Sequence, residues 1–345
     1  MDKANVLITG GSGYFGSLLR DRLKAHGQTV RIFDLADTED RTQDVGFMAG
    51  DIRNETQVRT ACEGCDVVYH CVAQVPLAKD KHLFDSVNIQ GTENLLKSAL
   101  ATKARKVIYV SSSAVFGAPK TNPVTGKTAP TPAEAYGRAK LEGETLCSKY
   151  AQQGLDVSII RPRTIMGHGR LGIFQILFEW IRTGYNVPVL GRGDNIYQFV
   201  HADDLAEACI LAAGRAGTAA YNCGADRFGT MREVLEHLCA HAKTGSKVKS
   251  VPMAPAVAFM NFTSALGLSP LGPYHAMMYG RSLYFDITKA KTELGWQPHF
   301  SNNEMFVQSY DWYLKNRDQI PPSHGASHHR SAVKQGVLGL IKHLL

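Results

Sequence analysis

What this sequence lacks narrows its reading before any motif is considered. No long apolar run follows the opening MDKANVLITG, so the pattern of a secretory signal is missing and a cytoplasmic protein is expected. Seven cysteines are scattered over 345 residues, an odd number that fits reduced thiols better than a disulfide framework. Cys62 and Cys65 form a C-x-x-C. No second cysteine pair or histidine pair stands near enough to complete a zinc pattern, so the two read as a helix end and turn, and no metal is expected. The net charge is +7, which favours anionic partners, yet no run of lysine and arginine is long enough for a nucleic-acid patch. No internal repeat is present.

Short β-branched runs alternate with helical stretches up to about residue 160. Strands are expected at NVLIT, TVRIF, DVVYHC, KVIYVS and DVSIIR, with a weaker one at GFMAG. This is the order of an α/β protein with a doubly wound parallel sheet. Beyond Pro162 the regularity fails. Residues 1–162 are therefore expected to form a nucleotide-binding domain and 163–320 mainly a smaller substrate lobe. Segments about 199–223 return to the first domain, and 321–345 form a basic amphipathic tail.

Two later stretches stand out by composition. Residues 250–280 carry no Asp, Glu, Lys or Arg and hold four prolines, which disfavours a straight membrane-spanning helix. Met253, Phe259, Met260, Phe262, Met277 and Met278 there would suit either an apolar lid over a substrate or a hairpin packed into the lobe's own core. The tail SAVKQGVLGLIKHLL sets Val333, Val337, Leu340, Ile341 and Leu344 on one helical face. It would give weak contact with the inner face of an anionic membrane, or dock on the body or a partner subunit.

The strongest motif is Gly11-x-Gly13-x-x-Gly16, between the first strand and a helix, with Gly10 just before it. Glycines there let the chain turn tightly and bring a pyrophosphate onto a helix N-terminus, where free N–H groups favour negative charge. Gly10, Gly13, Tyr14, Phe15 and Gly16 are the loop's cofactor candidates. Asp34 ends the next strand, 18 residues after Gly16. A carboxylate there accepts hydrogen bonds from ribose hydroxyls and repels a 2′-phosphate, so NAD(H) is favoured; Arg31 and Arg41 keep NADP(H) as the alternative. Asp51, with Ile52 beside it, is placed near the adenine. Tyr136 and Lys140 lie four apart on a helix, hence on one face. An ammonium beside a phenol lowers its pKa from near 10 and makes it a usable acid or base. Ser111, Ser112 and Ser113 end a strand and offer hydroxyls to a reacting oxygen.

These residues together resemble the extended short-chain dehydrogenase/reductase superfamily, in its epimerase/dehydratase and 3β-hydroxysteroid dehydrogenase-like branch. The likeness runs from Val6 to about Tyr313 through TGGSGYFG, GDIRN, HCVAQVP, VNIQGTENLL, VSSSAVFG, YGRAK, IIRPRTIMG, FVHADDLAEA and FDITKAKTELGWQP. It implies a Rossmann domain with a smaller C-terminal lobe and a Ser–Tyr–Lys triad acting with nicotinamide. Counting back from Gly117, the triad serine falls on Ser112, with Ser113 as the fallback. Lys140 would also bridge the nicotinamide ribose. Val72, Ala73, Asn88, Ser111 and Pro162 would lie along the cofactor, and Ser113, Gln74, Arg163, Tyr197 and Arg281 would meet the substrate. A homodimer is also implied by the resemblance.

Dehydratases of this branch carry Asp-Glu after the triad serine or threonine, whereas this chain has Ser113-Ala114. Sugar epimerases carry a diphosphate-binding arginine where Tyr197 stands here, with Arg192, Arg170 and Arg281 as substitutes out of place. The expectation is an NAD(P)-dependent oxidoreductase acting on a keto or hydroxyl group of a lipid or steroid-like substrate. A nucleotide-sugar 4-epimerase with tightly bound NAD is the alternative.

Overall fold

The computed structural model describes residues 3–74, 83–266, 268, 279–320, 336 and 338–343. In chain order the strands are β1 (Asn5–Thr9), β2 (Thr29–Asp34), β3 (Gly46–Ala49), β4 (Val67–His70), β5 (Lys106–Val110), β6 (Val157–Pro162) and β7 (Thr164–Met166). They continue with β8 (Val187–Leu190), β9 (Ile196–Tyr197), β10 (Phe199–His201), β11 (Ala219–Cys223), β12 (Gly229–Thr230) and β13 (Val248–Val251). The helices used below are α1 (Tyr14–Ala25), α2 (Glu55–Cys62), α3 (Gly91–Ala101) and α4 (Ala135–Ala151). After them come α5 (Ile173–Arg182), α6 (Ala202–Gly214), α7 (Met231–Ala242) and α8 (Met253–Ala265).

Seven strands form one sheet in the order β11-β6-β5-β4-β1-β2-β3, every pair parallel. This is a Rossmann-type α/β fold, and the six strands expected from the β-branched runs lie in it. Burial on both faces explains why those runs are nearly continuous in apolar residues. Along β1, Val6 and Ile8 enter the core on one face, while Leu7 enters the core on the other. A third core joins α5 and α7 with Phe199, Phe306 and Tyr310.

The strand order decides where a ligand sits. From β1 the chain leaves toward β2 and β3, and from β4 it leaves toward β5 and β6. The crevice outside the carboxyl ends of β1 and β4 is therefore the topological switch point, where open α/β sheets bind ligands.

His70, at the end of β4, is almost wholly buried. Its Nδ1 lies 2.7 Å from Thr9 Oγ1 and its Nε2 lies 3.0 Å from Thr92 Oγ1. Thr92 already donates its own proton to the Asn88 carbonyl, so the imidazole is neutral, with its proton on Nε2. Burial, reinforced by the Lys140 charge, lowers its pKa to about 3. Between about pH 6.5 and 3 the unfolded chain then binds one more proton than the folded one, so stability falls with acid at ~1.4 kcal/mol per pH unit from this group. Urea unfolding at pH 7, 6 and 5 should show a shallower acid loss for His70→Gln than for the parent.

Within the described part of the uncharged stretch the helix is mostly exposed, whereas Tyr279 packs against the lobe core. Helix α8 buries only Thr263, and Met253, Phe259 and Phe262 are exposed. With apolar residues on every side, the helix has no single face to turn inward. Met277, Met278, Val333, Val337 and Leu344 lie outside the described residues. Of the tail stripe, Ile341 packs with Leu338 against the lobe core, and Lys342 Nζ sits 4.4 Å from the centre of the Tyr185 ring. No helix among the described residues is long and apolar enough to cross a membrane.

Candidate active site

The loop from β1 into α1 forms one wall of a cleft of about 1410 Å³ at the switch point. Gly10 adopts φ +75°, and a Cβ there would lie 2.8 Å from Val72 N. A Cβ on Gly16 would lie 2.1 Å from the Gly10 carbonyl oxygen. The loop is thus cramped by backbone, and only glycine fits. Gly13 caps α1 without a side-chain hydrogen bond, which leaves the helix N-terminal N–H groups to face the cleft. This cradle suits the pyrophosphate of a dinucleotide.

Asp34 lines the cleft at the end of β2. Its carboxylate accepts from Ser12 N at 3.0 Å and Leu35 N at 2.8 Å. Burial raises its pKa, and those two N–H groups oppose the rise. Asp37, Glu39 and Asp40 extend an acidic rim. Arg31 is turned to the Ala61 and Glu63 carbonyls, and Arg41 is paired with Asp37, so neither lines the cleft. Asp51 and Ile52 do line it, and Asp51 is clasped by Arg53. A 2′-phosphate would meet carboxylates here. Fluorescence titration should find NADH bound about tenfold or more tighter than NADPH, and Asp34→Ala should narrow that gap.

Across the crevice, Val72, Ala73, Gln74, Ser111, Ser112, Ser113, Tyr136, Lys140, Pro162, Arg163 and Tyr197 all line the same cleft. Asn88 does not; it is buried and holds Gln74 through both backbone groups, at 2.7 and 3.0 Å. Asn88 therefore fixes the loop rather than the contents of the cleft. Arg281 does not line the cleft either. Its side chain is exposed, while its backbone carbonyl accepts from Asn195 Nδ2.

Tyr136 stands in the first turn of α4, which Glu134 caps by accepting from the N–H groups of Tyr136 at 2.7 Å and Gly137 at 2.6 Å. Burial pushes the phenol up to about 12, and the Ser112 hydroxyl opposes that rise. Lys140 Nζ donates to the Val110 carbonyl at 2.8 Å, and burial lowers its pKa to about 8. The sequence reading has the ammonium lowering the phenol's pKa. In this structure desolvation raises it instead, the groups opposing the rise are Ser112 and Arg170, and Lys140 points to the end of β5.

Sequence reasoning passed over several groups. Glu144, one turn beyond Lys140, accepts from Ser111 Oγ at 2.6 Å and pairs with Arg161, so it anchors the serine strand end. Its signal was the i, i+4 spacing from Lys140. Arg170, one of the substitute arginines, lines the cleft, and so do His168, Leu171, Phe174, Tyr279, Trp312 and Ile320, which the sequence did not single out. They come from distant segments, and no local pattern announces them. His168, His201 and Asp203 gather their ligand atoms within 4.8 Å. However, His201 Nδ1 accepts from the Asp203 N–H and its Nε2 meets Gln308 Oε1, which makes it a cap of α6.

Residues 6–224 match the NAD dependent epimerase/dehydratase family. The chain belongs to that family. Its NAD dependence agrees with the glycine cradle and with Asp34 at the end of β2. Uncharacterized protein y4nG of Sinorhizobium fredii is 54% identical over 341 residues, spanning 99% of this chain and 86% of the relative. The 3beta-hydroxysteroid-dehydrogenase/decarboxylase isoform 1 of Arabidopsis thaliana is 28% identical over 92% of this chain and 81% of its own length. In fold, the chain resembles the UDP-glucose 4-epimerase of Thermotoga maritima solved with UDP-glucose. The TM-score is 0.76 at 23% identity, over 91% of this chain and 99% of that one. A UDP-glucose 4-epimerase of Mycolicibacterium smegmatis is likewise 28% identical, over 91% of this chain and 99% of its own length, so the relatives include both kinds of enzyme.

Proposed function

We propose that this family member is an NAD-dependent oxidoreductase that reduces a keto group, or oxidises the corresponding hydroxyl, on a hydrophobic lipid or steroid-like substrate. The observation that carries this reading is the wall of the cleft furnished by the C-terminal lobe. Leu171, Ile173, Phe174, Phe199, Tyr279, Trp312 and Ile320 make it largely apolar. Tyr197 occupies the place of the epimerase arginine, with its hydroxyl 3.0 Å from Thr164 Oγ1. An apolar pocket with few polar groups suits a hydrophobic ligand.

In the reductive direction Tyr136 donates its phenolic proton to the carbonyl oxygen, while the Ser112 hydroxyl hydrogen-bonds that same oxygen. A phenol held near 12 is protonated at neutral pH, so the proton is in place, but it leaves only if a nearby positive charge stabilises the phenolate. The Lys140 charge offsets the phenolate left behind. NADH held by the glycine loop and Asp34 would supply the hydride for the carbonyl carbon. Asn88 and Glu144 hold the flanking loop and the serine strand end in place.

One observation favours the epimerase alternative. Of the three substitute arginines, Arg170 does line the cleft, whereas Arg192 is 88% exposed and paired with Asp194 and Arg281 lies outside. The two readings separate by absorbance at 340 nm with NADH, offering a 3-keto lipid, a 3-ketosteroid and a UDP-hexose. A steady loss of signal with a hydrophobic ketone supports the oxidoreductase. Interconversion of the UDP-hexose with no net loss of NADH contradicts it.

A further inference from the structure

A buried arginine carries its charge into a medium that penalises it, and folded chains normally pair such a group. Arg161 shows how this chain does so. Its Nε and Nη2 grip the two oxygens of Glu144 at 2.9 and 2.6 Å. These two nitrogens form the side-on edge of the guanidinium, the edge that fits a planar carboxylate with two parallel hydrogen bonds.

Two residues further on, Arg163 is only 1% exposed, yet the same edge is bare. Its Nη1 donates to Ser113 Oγ at 2.7 Å. Its Nε and Nη2 are buried without a hydrogen-bond partner among the described residues. The guanidinium is covered by aromatic faces, 4.6 Å from the Tyr197 ring centre and 5.8 Å from that of Phe285. Those faces ease the burial of a cation but accept no hydrogen bond in the guanidinium plane. Arg163 and Ser113 both line the catalytic cleft.

We propose that Arg163, with Ser113, is the subsite for a carboxylate carried by the substrate. This rests on the oxidoreductase reading of the cleft and narrows it. Ser113 directly follows Ser112, so the two Cα atoms are about 3.8 Å apart. A carboxylate held on the bare edge of Arg163 then lies within a few bonds of the reacting carbon. The substrate is a hydroxy acid or keto acid with the two groups close together and an apolar remainder against the lobe. Because the guanidinium is covered, the carboxylate engages it by shifting Tyr197, which also brings that side chain against the substrate. Lysine in its place would keep the charge but lose the fork.

The test uses full-length enzyme with NAD⁺ and a matched pair of probes, 3-hydroxydodecanoate and its methyl ester, titrated calorimetrically. The parent should bind the acid about tenfold or more tighter than the ester, as a charge-assisted bidentate contact requires. Arg163→Met should weaken the acid to the level of the ester and leave the ester unchanged. Arg163→Lys should fall between them. NAD⁺ affinity, unchanged in both variants, reports an intact fold. Equal binding of acid and ester by the parent overturns the proposal, as does a preference that survives Arg163→Met. Tyr136-dependent oxidation of the ester without any preference for the acid would keep the redox reading and remove the carboxylate alone.

Discussion

Tyr136→Phe loses about a thousandfold in kcat, while NADH binding stays within a factor of two of the parent. The substitution removes one oxygen and little else. The phenyl ring keeps its place 6.4 Å from the Phe84 ring, and Glu134 still caps α4 through backbone N–H groups. What disappears is the only acid that the proposed mechanism places at the carbonyl oxygen. Ser112 still hydrogen-bonds that oxygen but holds no readily released proton, so the residual rate measures polarisation alone. Steady-state kinetics and a fluorescence titration of NADH separate the two effects. A rate within tenfold of the parent would remove Tyr136 from the chemistry.

Gly16→Val weakens NADH binding at least about a hundredfold and lowers the melting temperature. A Cβ at this position would sit 2.1 Å from the Gly10 carbonyl oxygen and 2.8 Å from the Gly11 Cα. Both are backbone atoms of the loop itself, so relief requires the turn to open and α1 to retreat from β1. Opening that turn also displaces the N–H groups that face the pyrophosphate, and each lost charge-assisted hydrogen bond is worth about 1.5–3 kcal/mol. Gly126→Ala is the control. Nothing lies within 4 Å of a Cβ there, and binding and melting should both match the parent. Tight NADH binding by Gly16→Val would mean that the cofactor does not lie on this loop.

The fold was legible because parallel strands buried on both faces leave a signature in the sequence. NVLIT and KVIYV have no polar alternation, and β1 and β5 are buried almost throughout. The glycine spacing was legible for a related reason, since close approach of backbone to backbone admits a single residue type. Other features had no local signature. Helix α8 is apolar all round, so periodicity could not say which way it faces, and the structure leaves most of it exposed. Trp312 and Tyr279 reach the cleft from segments more than a hundred residues beyond α4, and only the three-dimensional path brings them there. The direction of the Tyr136 shift was also hidden, because desolvation depends on what surrounds a residue and not on what stands four residues away. Arg163 falls between these cases. Its type and position were readable, but its bare edge was not.

Isotope transfer distinguishes net redox chemistry at Tyr136 from epimerisation. The enzyme is supplied with NADH deuterated at the transferable position of C4 and with a hydrophobic ketone, and the products are read by mass spectrometry. One deuterium is expected on the carbinol carbon of the alcohol for each NAD⁺ formed, with both lost in Tyr136→Phe. If no NAD⁺ accumulates and no deuterium reaches the ketone, while a UDP-hexose is interconverted on the same enzyme, the oxidoreductase reading falls and the cleft belongs to an epimerase.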